Sequence, residues 1–282
     1  MISAVRSDRR ENLFAEVVTE MFRREPLFAG AALCLAVVAL PTLVAICLDD
    51  RTLLGINVWA KPLKFEVALS VYLATLAWFA GWLPQGTTGR MWYRTYSVVI
   101  VACIAAEIIW IVASAAYGKA SHFNIETPVL SRIYLAMGAF AVVLTSATLV
   151  YGVLIWRDGD SGLAPAFKLA VAIGLLLTFV ATVAVAGFMA AGPSHFIGGS
   201  GSDTQGLAIM GWSRDGGDLR VAHFFATHAM HFIAAFGFVI SRTLPTAVAQ
   251  IAVIVFSIVF AWLIAFTFLD ALAGRPILQI LG

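Results

Sequence analysis

Three of the chain's five histidines fall in one stretch, Asp218-Leu219-Arg220-Val221-Ala222-His223-Phe224-Phe225-Ala226-Thr227-His228-Ala229-Met230-His231. Imidazole can ligate a metal, carry a proton or hold a haem iron. The stretch lies in apolar sequence, where ionisable groups are costly and mark a function by default. On a helix, Asp218 caps the outer end. His223, His228 and His231 then lie roughly 7, 15 and 20 Å below it, spread over roughly 140° of one face. His228 and His231 are three residues apart and therefore neighbours on that face.

Other reactive residues gather at matching depths. Cys103, Glu107, Trp110 and Ser114 form a stripe at helical spacing, which puts Glu107 roughly as deep as His228. A glutamate at that depth is protonated or paired. Lys61, Lys64 and Glu66 open another apolar segment, where the two lysines could clamp a phosphate, carboxylate or haem propionate, joined by Arg220 and Arg214. The segment from Gly118 to Pro128 adds His122, Asn124 and Glu126. The stretch 192–217 holds eight glycines together with His195 and Trp212. It reads as a binding lid or as a flexible connector.

The elements that must carry these groups are membrane helices. The chain is 61% hydrophobic and 12% charged, against about a quarter charged in a soluble domain. Its apolar runs have the length of bilayer-spanning helices, and we read seven, at 27–48, 62–83, 95–116, 132–156, 166–191, 219–241 and 246–270. No ten-residue alternation supports a transmembrane β-barrel. Residues 1–26 have no apolar core of a cleavable leader. Leu13, Phe14, Val17, Val18, Met21 and Phe22 recur instead at helical spacing, opposite arginines and acids. They read as an amphipathic helix on the cytoplasmic surface, preceding a 27–282 transmembrane domain. The expected fold is thus an all-α polytopic bundle of about seven helices plus an interfacial helix.

Five arginines before the first span favour a cytoplasmic N-terminus and a periplasmic C-terminus in a bacterial inner membrane. All five histidines then fall on the outer half with Glu66, Glu126, Asp218 and Asp270, as one site opening outward. Cys34, Cys47 and Cys103 have no paired spacing and imply no disulfide framework. A net charge of +2 without a basic stripe argues against nucleic-acid binding. The absence of CxxCH excludes c-type haem attachment. No lysine lies in the seventh span for a retinal Schiff base. Oligomer formation stays open.

Three functions fit these residues. The first is a membrane-embedded enzyme using a divalent metal (Zn, Fe or Mn) on a lipid or amphipathic anionic substrate. His223, His228, His122 and Glu107 would be its ligands, with Glu66 or Glu107 as the acid–base group. Lys61, Lys64, Arg220, Asn124, His195 and His231 would bind the substrate. The second is a redox protein holding haem b or a quinone, with His228 and either His122 or His195 as axial ligands. The third is a proton-coupled transporter or a sensor built on a Glu107–His228 relay. The seven-span architecture is shared with membrane zinc hydrolases of the ceramidase and adiponectin-receptor type. Their HxxxH pair is absent, however, because His228 and His231 are spaced HxxH. Gly192-Pro193-Ser194-His195 likewise lacks the glycine of the phosphatidic-acid phosphatase box. The phrases at Lys61–Phe65, Ser121–Asn124 and Gly216–Met230 resemble those of an uncharacterised bacterial multi-pass membrane family. That resemblance implies a multi-pass fold and no particular activity.

Overall fold

Each apolar run becomes one helix, and most helices begin at a local start signal. The computed structural model describes residues 2–207 and 209–277, with side chains from Leu13 onward. The helices are α1 (Ile2–Arg24), α2 (Pro26–Leu48), α3 (Ala60–Phe79, prolonged by a 3-10 turn to Trp82), α4 (Met91–Ala116), α5 (Pro128–Arg157), α6 (Pro165–Ala191), α7 (Leu219–Thr243) and α8 (Thr246–Leu272). Proline opens the first turn of α2, α5 and α6, where its missing N–H costs nothing. Glu25, Thr127 and Asp218 cap α2, α5 and α7 by accepting from Phe28, Leu130 and Arg220 backbone N–H groups.

The seven helices α2 to α8 are long and apolar enough to cross a bilayer. Their bounds lie within a few residues of the expected spans, so the chain is an all-α, multi-pass integral membrane protein. Leu33, Val37, Leu40 and Val44 on α2 are exposed, as are Ile251, Val255, Ile258 and Trp262 on α8. Such apolar rows belong against lipid. Helix α1 is amphipathic as expected, with Leu13, Phe14, Val17 and Phe22 exposed. Its last turn docks on the bundle. The Arg24 guanidinium donates to the Trp78 carbonyl at 2.7 Å and lies 4.2 Å from the Trp78 ring centre.

Helix α7 is set by small residues. Ala222, Ala226, Ala229 and Ile233 are fully buried among α6, α7 and α8. Gly174 on α6 faces the Met230 backbone, and Gly237 on α7 faces Ala170 so closely that a Cβ would sit 2.1 Å from the alanine methyl. Small residues let helices approach this closely in membranes. With that stripe turned toward α6 and α8, Phe224, His228 and His231 occupy the opposite face at i, i+4, i+7. That face looks toward α3, where the Thr75 hydroxyl meets His231.

The α2–α3 and α6–α7 connections lie at the outer end of the bundle, away from α1 and opposite the inner end beside α1, and carry two small hairpin-like sheets. Strand β1 (Thr52–Leu53) pairs with β2 (Ile56–Asn57), and β3 (Phe196–Ile197) pairs with β4 (Gly217–Asp218). The glycine-rich segment is no free connector. Asp203 N–H donates to the Leu54 carbonyl at 3.0 Å. Gly55, at φ +87°, lies against Thr204, and Gly217 against the Ala271 carbonyl, neither with room for a Cβ. The segment is therefore a folded cap, pinned by the β1–β2 turn and by the outer ends of α7 and α8.

Candidate functional site

The site is assembled from α3, α4, α7, the α4–α5 loop and the cap. Asp49 sets the start of α3. Its carboxylate accepts from Trp59 Nε1 at 2.7 Å and from Arg51 at 2.6 Å, and these two donors hold its pKa below the usual carboxylate range. Two residues later, Lys61 Nζ lies 3.1 Å from His122 Nδ1. As an ammonium, Lys61 can only donate, so His122 carries its proton on Nε2. Ser121 Oγ is also 3.1 Å from His122 Nδ1. Burial first, then the Lys61 cation and His223, push the His122 pKa down to about 3. Lys61 is within electrostatic reach of Glu107, Asp203 and Arg220 as well.

The loop carrying His122 is strained. Phe123 has φ +58°, a left-handed conformation that bulky residues rarely adopt. Hydrogen bonds on both sides hold it there. Trp110 Nε1 donates to the Ser121 carbonyl at 2.8 Å, and Asn124 Nδ2 donates to the Ala120 carbonyl at 3.2 Å. Phe65 and Tyr134 flank the His122 ring, and Phe123 packs between Tyr134 and His195. Asn124 thus shapes this loop through its own backbone contacts.

Three buried polar atoms around this centre have no protein partner: Glu107 Oε1, His195 Nε2 and His223 Nδ1. Leaving such an atom unpaired costs about 1–3 kcal/mol. The His195 pKa is depressed to about 4, by burial first and the Arg220 cation second, so this imidazole is neutral. Its backbone is fixed, because the His195 carbonyl accepts from Leu219 N–H at 3.0 Å.

Arg220 and Lys64 are committed to the cap. Arg220 Nη2 donates to Asp203 at 2.6 Å, Asp218 at 2.7 Å and the Gly211 carbonyl at 2.8 Å. Lys64 Nζ donates to the Met210 carbonyl at 3.1 Å. These two expected substrate cations hold the cap down over the expected mouth. Glu66 stands apart. It faces α2, accepts from Thr42 Oγ1 at 2.9 Å and leaves Oε2 buried without a partner.

A second group lies deeper on α7. His228 Nδ1 and His231 Nδ1 are 3.3 Å apart, and His231 Nε2 is 3.1 Å from Thr75 Oγ1. Phe224 covers His228, with ring centres 4.5 Å apart. Thr75 is four residues from the inner end of α3, so the polar file runs deeper than an outer-half site requires.

No protein-family model, curated protein or solved structure matches the chain. Among the described residues, no three His, Cys, Asp or Glu side chains come together as a metal-ligand group, so His223, His228, His122 and Glu107 do not form the expected set. The imidazole that His228 meets is His231, on its own helix. The hydrogen-bond and ring neighbours of His228 among the described residues are Phe224 and His231, not the His122 or His195 expected opposite it across a haem. What does converge is Lys61 with Ser121 and His122, and electrostatically with Glu107 and Arg220. Asp203, Ser121, Tyr134 and Thr75 were not expected, since none carries a spacing signal in the sequence.

Proposed function

We propose that the protein binds the anionic head group of an amphipathic molecule in the outer half of the bundle, beneath the 192–218 cap, with Lys61 as the anchoring cation. One observation carries this reading: Lys61 Nζ contacts His122 and lies within electrostatic reach of Glu107 and His195, while His223 is within reach of His122, and Glu107 Oε1, His195 Nε2 and His223 Nδ1 are buried without protein partners. A part-buried cation in apolar surroundings is stabilised by compensation, and an anionic ligand supplies it. Unpaired donors and acceptors around it give that ligand orientation. Glu107 and His223 are the groups able to exchange a proton with the bound molecule. The outward opening follows from the arginine-flanked N-terminus lying on the cytoplasmic side.

The test uses detergent-purified protein and native mass spectrometry with phosphatidic acid, a long-chain fatty acid and a neutral ubiquinone analogue. Retention of the anionic amphiphiles over the quinone, with at least about a tenfold loss in Lys61→Met, supports the reading. Equal retention by Lys61→Met defeats it. Preferential quinone binding transfers the site to redox chemistry.

A further inference from the structure

We infer that His228 and His231 form a mid-membrane site for a borderline divalent metal such as Zn2+, with two protein nitrogens and open coordination positions. This proposal is independent of head-group binding at Lys61.

Thr75 fixes the tautomer of His231. Thr75 Oγ1 lies 2.8 Å from the Val71 carbonyl one turn back on α3. A carbonyl only accepts, so the single hydroxyl proton of Thr75 goes there. Thr75 must then accept from His231 Nε2, 3.1 Å away. His231 is thereby fixed as the Nε2–H tautomer, with the lone pair of Nδ1 directed at His228. An outer partner that holds the distal N–H of an imidazole and aims its other nitrogen is the usual arrangement of a metal-ligating histidine.

The spacing fits the same conclusion. Two nitrogens on a tetrahedral metal at about 2.0–2.1 Å from the ion stand about 3.3–3.4 Å apart. The two Nδ1 atoms are 3.3 Å apart. A cis pair on an octahedral ion of the same bond length would be nearer about 2.9 Å, and a linear pair about 4.1 Å. Imidazole pairs suit zinc, copper, nickel and iron better than magnesium or calcium.

The neighbours also fit. Phe224 closes one side of His228. His223 is within electrostatic reach of His228 along α7, and its Nδ1 is buried without a partner. In the metal-free state one proton lies between the two Nδ1 atoms, on His228. On metal binding that proton moves to His228 Nε2, so both imidazoles stay neutral and no electron is transferred. Because no carboxylate among the described residues completes the set, two monoanions from solvent, such as hydroxide or chloride, would occupy the open positions and balance the 2+ charge.

The experiment uses untagged, full-length protein in detergent, stripped with a chelator and titrated with Co2+, whose ligand-field absorption reports tetrahedral geometry. One equivalent should bind with a tetrahedral spectrum, and Zn2+ should displace it. His228→Ala and His231→Ala should abolish the signal. Thr75→Val removes the orienting acceptor with little change in volume and should weaken binding about 10–100-fold. Lys61→Met should bind Co2+ as the parent does, which separates this site from head-group binding. A folded parent protein that takes up no stoichiometric Co2+ or Zn2+ overturns the proposal. So does an unchanged spectrum in His231→Ala. If the histidine variants do not yield monodisperse protein, Thr75→Val decides, and parental affinity in that variant overturns it.

Discussion

The inner and outer halves of the bundle treat buried polar groups in opposite ways. In the inner half most are paired, with Ser97 Oγ an exception. Tyr93 and Tyr151 hydroxyls meet at 2.5 Å, Tyr96 meets Ser146 at 2.6 Å, and Tyr72 donates to the Leu144 carbonyl at 2.7 Å. Glu25 accepts from Phe28 N–H. In the outer half, Glu66, Glu107, His195 and His223 each keep a buried atom without a partner. Pairing stabilises, whereas an unpaired buried group costs free energy. The inner half is thus built to hold the fold, and the outer half keeps polar groups available to something other than protein.

The largest effect expected from disturbing this contrast is at Arg220, which serves the outer half as a lock. Asp203 and Asp218 are only 5% and 2% exposed and share its guanidinium. Arg220→Ala leaves two buried carboxylates facing each other, at a cost of about 3–5 kcal/mol. Thermal unfolding in detergent should show that loss, with proteolysis appearing first within 192–218. A variant as stable as the parent would mean that the cap does not depend on this ion pair.

The inner half gives the next effect. Tyr93→Phe removes one hydroxyl from a fully buried pair and leaves the other unpaired, costing about 1–3 kcal/mol. Adding Tyr151→Phe removes the second hydroxyl as well, so the double variant should lose less than the sum of the two singles. Strict additivity in that cycle would show that the two rings do not act as a pair.

Much of this division is legible in the sequence, and the failures have physical causes. Helices α2 to α8 follow from runs of apolar residues of bilayer length, and Asp218 is readable as a cap because α7 needs one. The grouping of the histidines with Glu66 and Asp218 in one half of the bundle is legible because helical rise gives depth. Direction around the helix is harder. Glu66 is five residues from Lys61, a rotation of about 140°, which turns it toward α2 and Thr42. The cap is ambiguous in sequence because its fold rests on Arg220 reaching Asp203 across a glycine-rich stretch with no periodicity. Thr75 was invisible because its partner His231 is 156 positions away, and one sequence does not say which helices face each other.

Acid should act on the outer half before the inner one. His122 and His195 are held neutral, with pKa values near 3 and 4, against about 6.5 in an unfolded chain. As pH falls below about 6.5, the unfolded chain takes up protons that the folded protein refuses, so stability declines until pH nears those folded values. Above about 6.5 these two groups contribute no slope. A melting-temperature profile should therefore fall between about pH 6.5 and 4, and His122→Asn should flatten it. An equally steep profile in that variant would assign the acid sensitivity elsewhere.

The smallest expected change in stability is also the sharpest test of the contrast. Lys61→Met keeps an unbranched side chain of similar length and removes a charge that the outer half keeps partly buried. If Lys61 supported the fold as the inner tyrosines do, its loss would destabilise the protein measurably. If it is retained for a ligand, the substitution removes a desolvation cost. Replacing buried charge by apolar side chains is often neutral or stabilising. The melting temperature should therefore hold or rise while anionic amphiphile binding is lost. A fall comparable to that of Tyr93→Phe would show that Lys61 is part of the scaffold and would erase the difference between the two halves.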